Sequence, residues 1–373
     1  MQTLLSPPLM AFPTPAARLV LFSEGLDGQH GGIQRVTRCA MEALATDPSP
    51  SEAWSANDIL GGTRPPQVRV RCFNRRYAHM ALAGILSPPP CRADAVIACW
   101  HLRLAPVAAL LSLRRRRPFR VFLHGVEAWG ELSPRVRWAL GYAGFIGANS
   151  EHTLRRFRAA HPRFAHLPGR VFPLGLSAEL GTPSSNRLPE GLRGRPFLLS
   201  VTRLAETYKG EETLLRAFAA VRSHHRDLAL VFVGAGPGLA HLRKIAHDLN
   251  LDESVLLMGA IPDASLAALY RECLAFALLS EGEGFGLVFA EAMAHGKPCV
   301  ATDADAACEL VRDGENGLVV SPWDADAATS ALLRLAVEPS LAARLGASAR
   351  RTIEDRFLPH HFRARMAAFM GIE

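Results

Sequence analysis

SEGEGFGLVFAEAMAHGKP, residues 280–298, sets Gly282, Gly284 and Gly286 directly ahead of an apolar run. A glycine-rich turn lets main chain come close to a ligand. A helix opening just after it offers unpaired amides and the positive end of its dipole to an anion. From Leu287 to Ala294 the residues are apolar on every helical face except at Glu291, so this helix is expected to be buried. A carboxylate there demands partners, and because it only accepts hydrogen bonds, the two vicinal hydroxyls of a ribose would suit it. The bland alternative is an ion pair with a buried arginine. Glu283 lies eight positions earlier, which is about 12 Å along an ideal helix. Glycoside hydrolases hold their carboxylates about 5–9.5 Å apart, so this pair reads as two contacts along one elongated ligand.

Outward from this stretch, short apolar runs alternate with amphipathic segments. Arg18 to Ser23, Ala95 to Cys99, Phe119 to Leu123 and Phe145 to Asn149 read as strands, with helices such as Gly32 to Ala45 and Ser150 to Ala160 between them. The rhythm stops at 180–196, rich in Pro, Gly and Ser. It resumes with Phe197 to Val201, helix 211–222, strand 228–233 and helix 238–249. Two doubly wound α/β halves are expected, with ligands at the carboxyl ends of the strands.

The 373 residues, 49% hydrophobic and 21% charged, suit two globular domains. No segment reaches the ~20 apolar residues of a membrane span, and the proline-broken start (MQTLLSPPLMAFPTPAA) is not read as a signal peptide. Seven cysteines without CxxC pairs point to reduced thiols rather than disulfides or structural zinc. Charge is uneven. Residues 1–186 carry 22 Arg against 11 carboxylates, a net +11, and the remainder carries 20 Lys and Arg against 24, a net −4. The first half is therefore expected to meet something anionic.

The E-x7-E of EGFGLVFAEAMAHGKP resembles the retaining nucleotide-sugar glycosyltransferases of family 4, which have the GT-B fold. The resemblance extends through SVTRLAETYKG (200–210), VFVGAGP (231–237), GGI (31–33), HG (124–125), NSEH (149–152) and ELVRDGENGLVV (309–320). It implies an α/β, GT-B architecture of two Rossmann-like domains facing across a cleft. The expected bounds are an acceptor-side domain at 1–185, a nucleotide-sugar domain at 186–355, and a helix at 356–373 packing back on the first domain. It also implies that Glu291 holds the ribose and that Glu283 lies beside the transferred sugar. Gly284, Phe285, Gly286 and Leu287 would supply donor-binding main chain. Arg203 and Lys209 would neutralise the leaving diphosphate, whose charge fixed cations stabilise. Gly31 and Gly32 would form a loop over the donor phosphates, and His124 a polar contact near the sugar. Departures from the family pattern are Thr202 before Arg203, Leu174 and Ser177 where Asn and Asp are usual, and DADAAC at 303–308 where glycines are usual.

Rival motifs are weaker. VGAGPG (233–238) has Leu239 where a dinucleotide fingerprint needs Gly or Ala. The DAD triplets at 303–305 and 324–326 read as surface acids, with no metal and no cofactor expected. The run Arg114 to Arg117 with Arg120, and Arg155, Arg156 and Arg158, is either a solvated face or a membrane-surface patch. No nucleic-acid module is present in the sequence.

The expected activity is transfer of a hexosyl group from a UDP- or GDP-sugar to a saccharide hydroxyl. The acceptor is expected to be lipid-linked, in bacterial surface polysaccharide synthesis, at the inner face of the cell membrane. A soluble glycan or small-molecule transferase, and an inactive basic binding protein on the same fold, stay as alternatives.

Overall fold

The computed structural model describes residues 19–25, 32–45, 51–58, 68–86, 95–176, 188–204 and 207–372. Contacts divide the chain into two compact units, one comprising residues up to Pro173 with those from His360 onward, the other Leu174–Pro359.

The first unit holds the strands β1 (Leu19–Ser23), β2 (Ser51–Ser55), β3 (Val68–Cys72), β4 (Val96–Cys99), β5 (Phe119–Leu123), β6 (Ala143–Ala148) and β7 (Gly169–Val171). They form one parallel sheet in the order β3-β2-β1-β4-β5-β6-β7. Its helices are α1 (Gly32–Ala45), α2 (Tyr77–Leu86), α3 (Ala105–Arg115), α4 (Pro134–Leu140) and α5 (Glu151–Ala160). A parallel sheet is covered on both faces and reads as continuous apolar runs. LVLFS of β1 does so, buried at all five positions. SEAWS of β2 does not, yet it too is buried throughout. Glu52 can lie there because Arg71 Nε is 3.3 Å from its carboxylate and Trp54 Nε1 donates to it at 3.1 Å. These partners come from the neighbouring strand and from two residues on, so the sequence pattern does not announce β2.

The second unit holds β8 (Phe197–Val201), β9 (Ala229–Val233), β10 (Val255–Leu257), β11 (Ala275–Ala277), β12 (Cys299–Thr302) and β13 (Gly317–Val320). They make a parallel sheet in the order β10-β9-β8-β11-β12-β13. Its helices are α6 (Glu211–His224), α7 (Leu239–Asp248), α8 (Asp263–Glu272), α9 (Leu287–Ala294), α10 (Ala325–Val337) and α11 (Pro339–Arg356). The last helix, α12 (Pro359–Met370), belongs to the first unit from His360 on. There Arg120 donates to the carbonyl of Phe369 at 2.7 Å, and the Phe369 ring packs 5.1 Å from Phe122.

Two boundaries differ from the sequence pattern. Leu174 to Leu176 join the second unit, where the Leu176 amide donates to the Phe357 carbonyl at 2.9 Å; the expected boundary at 185 lies outside the described residues. The final helix starts at Pro359 rather than 356, because α11 runs to Arg356 and Phe357 leaves helical geometry at φ −128°. Proline is suited to a helix's first turn, where its missing N–H costs nothing.

Candidate active site

In the second sheet, the order in which strands are added reverses between β8, from which the chain moves outward to β9, and β11, from which it moves outward on the other side to β12. Ligands of open α/β sheets bind outside the strand ends at such a switch point. The loop after β8 brings Lys209 there, and the loop after β11 brings Glu283. Lys209 Nζ lies 2.5 Å from Glu283 Oε1, with side chains only 8% and 17% exposed. Gly210 permits this approach. Its φ is +71°, and a Cβ at that position would stand 2.1 Å from the Leu279 carbonyl oxygen, so only glycine lets the Lys209 loop lie against the exit of β11. The Glu281 amide then donates to Tyr208 O at 2.9 Å and ties the two loops together.

Glu283 is held from the other side as well. Its amide donates to Asp305 Oδ2 at 2.8 Å, and its carbonyl accepts from the Ala306 amide at 3.1 Å. Asp305 is fully buried and its Oδ1 also accepts from the Ala307 amide at 2.8 Å. Burial, and then the charge of Glu283, push its carboxyl up to about 7. The expectation that the 303–305 triplet is a set of surface acids is therefore wrong at Asp305, because the loop after β12 folds inward onto Glu283. In the second triplet, Asp324 caps α10 by accepting from the Ala327 amide at 2.8 Å. Among the described residues no cluster of three or more His, Cys, Asp or Glu side chains is arranged to hold a metal ion.

Gly286, at φ +90°, turns the chain into α9. The Phe289 and Ala290 amides return to the Gly286 carbonyl, which leaves the Leu287 and Val288 amides of the first turn without a helical acceptor. Phe285 is buried, its ring 5.8 Å from Phe357. Glu291 is 4% exposed, and its Oε2 accepts from Tyr270 Oη at 2.9 Å. Tyr270 is in turn stacked on His295 at 5.7 Å, and the His295 ring accepts no change of place because Nδ1 bonds the Glu291 carbonyl at 2.9 Å. Glu283 precedes the helix rather than sitting on it, so an ideal-helix spacing between the two glutamates does not apply.

Arg203 is exposed in the loop after β8. That loop is braced by the VGAGPG turn. Thr202 N donates to Val233 O at 3.0 Å, Leu204 N to Ala235 O at 3.2 Å, and Gly238 N to Leu204 O at 2.7 Å. The glycines of that turn thus serve close packing against the Arg203 loop.

In the first sheet the switch falls between β1 and β4. His101, after β4, accepts at Nδ1 from the Glu24 amide, after β1, at 3.0 Å. His124 directly follows β5 and is 8% exposed. Its Nε2 is 2.8 Å from the Trp100 carbonyl, which can only accept, so Nε2 carries the proton. Nδ1 is left as a buried acceptor with no hydrogen bond among the described residues. Burial lowers the His124 pKa, against the opposing charge of Glu127. A neutral ring of this tautomer accepts a hydrogen bond from a hydroxyl. The Asn149 side chain fixes the strand end by donating to the His124 carbonyl at 2.6 Å, and Ser150 caps α5. Gly32 opens α1, and Gly31 lies outside the described residues.

The structure thus joins Lys209 to Glu283 and places Glu291 on the adjoining helix. Three contributors escaped the sequence pattern, namely Asp305, Tyr270 and His101. Asp305 carried a signal, since Asp is a preferred residue just ahead of a helical turn; Tyr270 and His101 carried none. The basic run is also redistributed. Arg115 is 4% exposed, and Arg120 is half-buried and binds α12. Arg114, Arg116 and Arg117 are exposed and have no ion pair among the described residues. They precede β5 whereas His124 follows it, so the five-residue strand sets them about 16 Å apart along its axis.

Residues 186–352 match the family described as Glycosyl transferases group 1. The chain is 33% identical over 289 residues to a GDP-mannose-dependent alpha-(1-6)-phosphatidylinositol monomannoside mannosyltransferase of Mycolicibacterium smegmatis, covering 73% of this chain and 75% of that protein. It is 28% identical over 285 residues to the lipopolysaccharide core biosynthesis mannosyltransferase LpcC of Rhizobium leguminosarum, covering 74% and 78%. In structure it resembles Anabaena HepE, solved with UDP and glucose, with a TM-score of 0.74, 20% identity, and coverage of 95% and 99%. The chain belongs to the group 1 glycosyltransferases. It is a hexosyltransferase with the GT-B fold.

Proposed function

We propose that the protein is a retaining transferase that moves a hexosyl group, mannosyl in the first instance, from a GDP-sugar to a hydroxyl of a lipid-linked saccharide, without a metal. The observation that carries the reading is the Lys209–Glu283 pair at the β8/β11 switch point, next to buried Glu291 on α9. Glu291 accepts from the ribose diol, and Lys209 and Arg203 take up the charge that gathers on the departing diphosphate. Glu283 and the Phe285 and Gly286 amides orient the sugar, aided by Gly284 and Leu287. The anomeric C–O bond to phosphate breaks while the new C–O bond forms on the same face, and the acceptor's proton passes to the leaving phosphate oxygen. The mannosyl and lipid assignments are supported by the names of the relatives above. A UDP-sugar donor is the second reading, favoured by the likeness to HepE. The deciding experiment follows labelled sugar from GDP-mannose and UDP-glucose into bacterial lipid extract, with and without excess EDTA. Transfer from GDP-mannose that survives EDTA is expected. Loss restored by magnesium or manganese, or transfer from neither donor, overturns the reading.

A site at the inner membrane surface completes it. No helix among the described residues is long and apolar enough to cross a membrane. Arg116, Arg117 and Tyr142 line a surface cavity of about 360 Å³, with exposed Leu113 on its wall and exposed Trp138 packed 5.2 Å from Tyr142. Arginines beside interfacial aromatics suit an anionic headgroup layer. At about 1 kcal/mol per basic residue, changing Arg114, Arg116 and Arg117 to Gln should weaken liposome binding on the order of 100-fold at low salt. Buried Arg115 is left in place, because its loss would disturb folding. Equal sedimentation of both proteins with anionic vesicles would remove the membrane role.

A further inference from the structure

We infer that Asp305 is a positioning residue for Glu283, acting through the main chain that carries it. The inference rests on the proposed role of Glu283 beside the transferred sugar. Glu283 has three anchors: its carboxylate meets Lys209 Nζ, its amide meets Asp305, and its carbonyl meets the Ala306 amide. Two of the three come from the loop after β12, 22 residues further along the chain. Lys209 alone would leave the Glu283 main chain free to rotate about the ion pair.

An ordinary helix cap does not account for Asp305. A capping Asp uses one oxygen on an amide two or three residues on and sits at the surface. Asp305 does this with Oδ1, toward Ala307, but spends Oδ2 on the distant Glu283 amide and is fully buried. Ser280 gives it a further hydrogen bond. Each oxygen faces an N–H, so the ionised form fits the site, although burial and the like charge of Glu283 both resist ionisation. Serine would cap the same turn without placing a second carboxylate beside the first. What the carboxylate adds is reach to Glu283.

The consequence is geometric. Displacing a group at a reacting centre by about 1 Å can cost about 100-fold in rate. Asp305→Asn keeps the volume but turns an amide NH2 toward one of the two donors. Asp305→Ser keeps the cap on Ala307 and is too short to reach Glu283, so it folds even where the Asn variant does not. Both should lower kcat by between about 10- and 100-fold, with GDP and UDP affinity within about threefold of wild type because the ribose contact lies on α9.

The test is a double-mutant cycle on kcat with Glu283→Gln, alongside melting temperature and nucleotide affinity. If Asp305 acts through Glu283, its replacement should add less than about threefold to the loss already caused by Glu283→Gln. Wild-type kcat in folded Asp305→Ser, a multiplicative loss in the double variant, or a parallel fall in nucleotide affinity would overturn the inference. Full activity of Glu283→Gln alone would instead overturn the proposed role of Glu283 and leave the distinction between the two readings clear.

Discussion

Lys209→Ala should lower kcat by about 100- to 1,000-fold, the loss typical of removing one preorganised charge stabiliser from a water-poor site. The side chain is 8% exposed and its ammonium meets Glu283 Oε1 at 2.5 Å, so no water replaces it cheaply. Its loss has two components. The departing diphosphate loses a fixed cation, and Glu283, 17% exposed, keeps its charge without its partner. Comparing Lys209→Ala with Lys209→Ala/Glu283→Gln separates them, because the second variant removes the stranded charge. Single-turnover transfer at saturating donor is the measurement. Activity of Lys209→Ala within about fivefold of wild type would mean that the pair is a structural ion pair and that the diphosphate lies elsewhere.

Glu291→Ala should abolish stabilisation of the folded protein by GDP or UDP. Hydrogen bonds to a charged group contribute about 1.5–3 kcal/mol each. Loss of two to a ribose diol would weaken binding on the order of 100- to 10,000-fold. At a ligand concentration 100 times Kd, binding stabilises by about 2.7 kcal/mol; after a 100-fold loss of affinity about 0.4 kcal/mol is left. Tyr270 donates to Oε2 at 2.9 Å, and an ionised carboxylate accepts from several donors at once, a ribose diol included. Glu291→Gln is the companion variant. It keeps an acceptor for Tyr270 and the volume on α9, and is expected to fold as wild type while binding nucleotide weakly. Unchanged nucleotide melting shifts in both variants would reduce Glu291 to a partner of Tyr270.

Legibility along the chain followed burial chemistry. Phe119–Leu123, Phe197–Val201 and Gly32–Ala45 are bounded in the structure as their apolar patterns predict. Ser51–Ser55 is not, since a buried strand carrying Glu52 needs Arg71 from another strand before it makes sense. The glycines of 280–286 and the apolar run after them announced a turn into a buried helix, and α9 is that helix. The partners did not show. Glu291 sits against Tyr270, 21 residues away, and Glu283 against Lys209, 74 residues away. No local periodicity encodes either distance.

By itself the sequence determined what depends on neighbours in the chain: the βα alternation, the turns that demand glycine, the buried helix with one carboxylate, and the lopsided charge. Tertiary structure decided what depends on which strand ends lie side by side. It alone set Asp305 beneath Glu283, left the His124 Nδ1 as an acceptor by giving Nε2 to the Trp100 carbonyl, and split four consecutive arginines into a buried Arg115 and three exposed ones. The reason is that a side chain's charge state and hydrogen-bond capacity are fixed by local dielectric and by facing groups. In a parallel sheet those groups arrive from strands tens of residues apart.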